Sequence, residues 1–119
     1  MKVTLFAASV LIAAGGALSQ AAAQAPEQAG ARDARTLYQE NCKKCHGVLG
    51  TPPKTMKAKY DKIATFDAAF IASRSDDSVV KILTKGKGED MKSFKEKLTP
   101  DEMLAVAKYV RELGSKPHP

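Results

Sequence analysis

Tryptophan is absent, aromatic residues make up only 6% of the 119-residue chain, and there are just two cysteines and two histidines. Phe6 lies in the N-terminal apolar stretch, which leaves three phenylalanines and three tyrosines for the rest of the chain. A single domain of this size buries a limited share of its surface, and so thin an aromatic supply leaves its core short of bulk. A large apolar prosthetic group would make up the shortfall. The scarcity of cysteine also excludes a disulfide framework. Cys42 and Cys45 are separated by Lys43 and Lys44 alone, and a bridge across so short a loop would constrain the unfolded chain very little. Nor does any run alternate apolar and polar residues for long enough to suggest a sheet, so the fold is expected to be all-α.

The N-terminus reads as an export signal. Met1-Lys2 is followed by a mostly apolar run from Val3 to Leu18 and small residues through Ala25, the order found in secretory signal peptides. Ala21-Ala22-Ala23 fits the small-residue cleavage rule and places the cut after Ala23. An uncleaved membrane anchor is the alternative, but Gly15 and Gly16 interrupt the run, which is short of the roughly 20 residues a span requires. Removing residues 1–23 takes away Lys2 and leaves 96 residues with a net charge of +5. Residues 24–33 are expected to be a flexible, solvated lead-in, residues 34–114 the domain, and residues 115–119 a tail.

Within the domain, Asp33 can cap a helix whose Ala34, Leu37, Tyr38 and Asn41 share one face. Gly47, Gly50 and Pro52-Pro53 then predict a loop to about Tyr60. Residues 67–73 suit a short helix offering Phe70 and Ile71 inward beside Phe66. Ser75-Asp76-Asp77 starts another, with Val79, Val80, Ile82 and Leu83 on its buried face and its end near Gly86. Residues 86–98 read as a loop. The last helix is signalled by Thr99 as cap, Pro100 at the first position and Glu102 completing a capping box. Met103, Val106, Ala107 and Val110 line its inner face with Leu113 close by, and Gly114 stands where a stop belongs.

The string Cys42-Lys43-Lys44-Cys45-His46 has the spacing of c-type haem attachment. Two thiols three residues apart on one turn can each add to one vinyl group of the macrocycle, and the following imidazole then faces the iron. A thioredoxin-like pair would be expected near a βαβ pattern, which is missing. A structural zinc site needs four ligands, and the only histidine besides His46 is His118 in the proline-bounded tail. For the sixth iron position the candidates are Met56, Met91, Met103 and, as a bis-histidine partner, His118. Met103 belongs to the apolar stripe of the last helix, and Met56 sits among Lys54, Lys57 and Lys59. Met91 lies in a loop with no helical stripe to claim it, and it is the expected distal ligand, because such carriers commonly pair methionine with histidine.

Residues 34–114 resemble a class I monohaem cytochrome c. The resemblance is carried by LYQENCKKCHG at 37–47, GKGEDMKSF at 86–94 and LTPDEMLAVAKYVREL at 98–113. It implies about four short helices wrapped around one covalently bound haem c, with the first and last helices crossing near Tyr38 and Tyr109. It also implies that the carbonyl of Pro52 or Pro53 accepts the hydrogen bond of the proximal imidazole. Where that family has Met-Pro this chain has Met91-Lys92, which implies a looser ligand loop.

The function expected from these readings is one-electron transfer rather than catalysis, in the periplasm, by a monomer or a subunit of a respiratory redox complex. The bound metal is iron, with His46 and Met91 as its ligands. Lysines 43, 44, 54, 57, 59, 85, 87, 92, 95 and 97 cluster in segments expected to flank the haem edge, which would steer it toward an acidic redox partner. Export makes nucleic acid an implausible partner, and contact with a membrane would come only through partners or an uncleaved signal. The alternative is a haem enzyme or gas sensor with an open iron position. The c-type bundles that bind gases carry the attachment motif near the chain's end, and here it comes early. A non-haem thiol oxidoreductase would be colourless.

Overall fold

Asp33 accepts a hydrogen bond from the Thr36 backbone N–H and opens the first of six helices among the described residues of the computed structural model, which are 32–117. They are α1 (Ala34–Asn41), α2 (Lys43–His46), α3 (Lys54–Lys59), α4 (Ala68–Ser73), α5 (Asp76–Lys85) and α6 (Pro100–Gly114). The fold is all-α, and among the described residues the one β-type pairing is an isolated antiparallel bridge between Lys87 and Met91. The helix count exceeds the expected four for two reasons. The backbone breaks at Cys42 (φ −120°), so the attachment turn is a helix of its own. The stretch expected to be a loop as far as Tyr60 also contains α3, whose first turn is started by the Pro53 carbonyl accepting from the N–H groups of Met56 and Lys57.

Ser75 starts α5 and Thr99 with Glu102 forms the reciprocal capping box of α6, as anticipated. Asp67, expected only as part of the short helix 67–73, is the N-cap of α4. Helix α6 packs chiefly against α5 and α1 and also touches α4. At its crossing with α1 the rings of Tyr38 and Tyr109 lie 5.3 Å apart. Leu37 and Tyr38 are fully buried there with Val106, Val110 and Leu113. Gly114 is not a stop. It is the last residue of α6, and Ser115 caps the helix. A side chain at Gly114 would run into Ile71 of α4, so the glycine is there for close helix packing.

Arg32 pairs with Glu40 and Glu102 and donates to the Lys97 carbonyl, which ties the chain entrance to the start of α6. The expected export signal, its cleavage point, residues 24–31 of the lead-in and His118 lie outside the described residues. Among those described, no helix is long and apolar enough to cross a membrane.

Candidate functional site

Between α2, α5 and the segments that follow them is a cavity of about 730 Å³, within the size range of small-molecule and cofactor sites. Cys42, Cys45, His46 and Met91 all line it. Several apolar side chains expected to be core, among them Phe70, Val79 and Ile82, are only half-buried because they face this space rather than other protein atoms.

The attachment turn is built locally. The N–H groups of Cys45 and His46 both bond to the Cys42 carbonyl, and the N–H of Gly47 bonds to that of Lys43. Tyr38, one turn before Cys42, donates its hydroxyl to the Gly47 carbonyl at 2.7 Å. Burial raises the pKa of this phenol, keeping it a neutral donor. Sequence periodicity marks Tyr38 as a packing residue, and its hydrogen bond, nine residues along the chain, leaves no signal there. Both thiols are free. Burial, and secondarily the Cys45 thiol, pushes the Cys42 thiol up to about 11, so at neutral pH it is a protonated thiol rather than the thiolate that metal binding and disulfide exchange require.

The imidazole of His46 is oriented by Ala64, not by a proline. Its Nδ1 lies 3.2 Å from the Ala64 carbonyl; a carbonyl only accepts, so Nδ1 carries the proton and Nε2 keeps its lone pair for a metal. The expected role of Pro52 or Pro53 is therefore corrected. The Pro53 carbonyl is taken up by α3, while a bond from the Phe66 N–H to the Gly50 carbonyl folds 64–66 back against the attachment loop. The Phe66 ring stacks on His46 with centroids 4.6 Å apart and planes 18° apart. Burial lowers the pKa of His46, opposed by the bond to Ala64, and favours the neutral ring a metal needs.

Met91 reaches the cavity from the turn between α5 and α6. The N–H of Lys87 bonds to the Met91 carbonyl at 2.8 Å, the Ser93 hydroxyl donates to the Thr84 carbonyl at 2.6 Å, and the Phe94 N–H to that of Leu83 at 2.8 Å. The loop is thus tied down without the proline whose absence implied looseness. Of the other methionines, Met103 is buried in the core with its sulfur 3.4 Å from the Thr84 hydroxyl. Met56 sits half-buried on α3, away from the cavity wall.

An apolar chamber with two thiols, an imidazole presenting a free lone pair and a thioether fits haem c. Its iron would supply reversible oxidation and reduction, and the chain would supply attachment, axial donors and exclusion of water.

Comparison with known proteins agrees. The family described as cytochrome c oxidase, cbb3-type, subunit III matches residues 29–110. Among solved structures, the KustC0563 c-type cytochrome is 36% identical, with a TM-score of 0.64 over 71% of this chain and 100% of its own. A tyrosine variant of Kustc0563 is also 36% identical, with a TM-score of 0.62 over 69% of this chain and 99% of its own. No curated protein matches. The chain belongs to the cbb3-type subunit III cytochrome family: it is a small monohaem c-type cytochrome whose cofactor is haem c and whose chemistry is haem-based electron transfer.

Proposed function

We propose that this protein is an exported one-electron carrier, with haem joined by thioether links to Cys42 and Cys45 and ligated by His46 and Met91. The observation that carries the reading is the convergence of these four side chains, from two separate segments, on one largely apolar cavity. Ala64 fixes the His46 ring and so the direction of its Nε2 donor. Met91 brings a thioether, which raises the reduction potential and closes the iron to small molecules, as a carrier requires. The hydrogen bonds around Met91 hold it ready, so little rearrangement accompanies a change of charge.

The partner is a redox protein with an acidic docking face, met either by a free carrier or within a complex. Lys43 and Lys44 on α2 and Lys87 and Lys92 beside Met91 are all exposed, and Lys87 and Lys92 border the cavity itself. Such a positive rim speeds encounter with an acidic surface and loses effect as salt rises.

The test is the optical spectrum of protein made in a host that matures c-type cytochromes. A c-type haem spectrum with a weak long-wavelength methionine–iron band is expected in the oxidised form. Met91→Ala should remove that band while leaving the haem attached. A band that survives in this variant would transfer the ligand role to Met56, and a high-spin haem in the unaltered protein would favour the open-iron alternative.

A further inference from the structure

A second, more open groove of about 690 Å³ runs between α1, the turn at 48–49 and α6, and shares no lining residue with the haem cavity. Val48 and Leu49 line it. With 59% and 54% of their surface exposed, they are the two most open large apolar side chains among the described residues. Tyr109 and Leu113 of α6 extend the apolar lining. The turn that carries Val48 and Leu49 is pinned at both ends. The Tyr38 hydroxyl donates to the Gly47 carbonyl at 2.7 Å, and the Gly50 carbonyl accepts from the Phe66 N–H at 2.8 Å. An exposed apolar patch marks an interaction surface, and one displayed on a turn already fixed loses little chain freedom when it is covered.

The charges around the groove indicate what fits it. Asp33 and Arg35 stand on the α1 side, and Lys108, Glu112 and Lys116 on the α6 side, all five exposed. Among the described residues, none of Arg35, Lys108, Glu112 and Lys116 enters an ion pair. A lipid surface or a uniformly acidic protein would be met by cations alone, and the carboxylates of Asp33 and Glu112 oppose both. A two-fold copy has the opposite requirement: one patch must be complementary to itself, with projecting and receding parts and both signs of charge. The Val48-Leu49 turn, the groove and the unpaired charges of both signs meet that requirement on a single face. We propose that this face is a dimer interface whose occupant is a second copy of the same chain. The two-fold axis runs along the groove, so the α1 side of each copy meets the α6 side of the other and Arg35 faces Glu112 twice. Helix α1 is only 8 residues long, so the interface is small and the dimer weak and reversible. The dimer leaves the haem cavity open to a redox partner, and the inference does not depend on what fills that cavity.

Sedimentation velocity of the haem-loaded protein over a wide range of concentration tests this. The sedimentation coefficient should climb from the monomer to the dimer value, with a dissociation constant on the order of 10–100 μM. Leu49→Asp sets a carboxylate against the apolar lining and should raise that constant about thirtyfold or more, with the optical spectrum unchanged. Glu112→Arg should raise it about fivefold, and adding Arg35→Glu to E112R should restore most of the loss. Lys81→Gln, on α5 outside the groove, should leave it unaltered. An unaltered protein that stays monomeric at every concentration overturns the proposal, as does a dimer that L49D leaves intact or that K81Q weakens as much as E112R does. Should L49D not fold, the E112R pair decides the matter: rescue by R35E supports the two-fold contact, and its failure overturns it. Binding to anionic lipid vesicles that L49D abolishes, with no dimer in solution, would assign the patch to a membrane and overturn it too.

Discussion

Between Asn41 and Gly47 the backbone that carries the functional side chains is set by hydrogen bonds spanning three or four residues, with only the His46 ring taking a distant partner, whereas the Met91 segment is held by bonds that reach back to Thr84 and Leu83 on α5. The attachment segment is a local object: a helical turn suffices to set two thiols and an imidazole in register. The methionine segment is a tertiary object, because its turn has a defined course only where α5 ends and α6 begins. Damage to the first should therefore remove the cofactor, and damage to the second should leave a coloured protein with altered iron chemistry.

The largest expected effect comes from replacing both Cys42 and Cys45 with serine. No haem should remain on the polypeptide after denaturing electrophoresis, where the unaltered protein stains for haem. Next is Gly86→Ala. Gly86 has φ +78°, and a Cβ there would lie 2.6 Å from the Met91 carbonyl oxygen and 2.9 Å from the Ser93 nitrogen. The strain should cost about 1–3 kcal/mol and weaken or abolish the methionine–iron band, with haem still attached. Retention of a full band would mean that Met91 is not positioned by this turn.

Tyr38→Phe should cost about 1–3 kcal/mol, because the Gly47 carbonyl loses its buried partner. On a domain of this size each kcal/mol lowers the melting temperature by about 4–8 °C. The methionine–iron band should survive, since Tyr38 serves the other segment, and losing it would show that the two regions are coupled. The smallest effect is expected from Ser93→Ala, about 1 kcal/mol in a melting curve for one exposed-side tie to Thr84. An effect larger than that of Y38F would reverse the order of dependence between the two segments.

The helix starts are legible in the sequence because each is a local contest. Asp67, Ser75 and Thr99 offer a side-chain oxygen to an N–H group three residues on, whatever the rest of the chain does. Helix α3 is not legible, because Gly47, Gly50 and two prolines announce a turn without saying how soon a helix can begin after it. Ala64 carries no signal as the partner of His46, since any residue offers the same carbonyl, and which one arrives depends on how 47–66 closes. Gly114 differs from its expected role for a related reason. A glycine near a helix end looks the same whether it supplies a left-handed cap or lets α4 approach, and only the position of Ile71 separates the two.

The amino-acid order alone determined that two thiols and an imidazole share one turn, because that geometry follows from spacing on a helix, and it determined where four of the six helices begin. Only the tertiary structure decided which carbonyl orients His46 and which methionine reaches the cavity. Each of those depends on how separate segments meet: the closure of 47–66 brings the Ala64 carbonyl to His46, and the cavity that Met91 faces is enclosed by residues of several helices rather than by any local pattern.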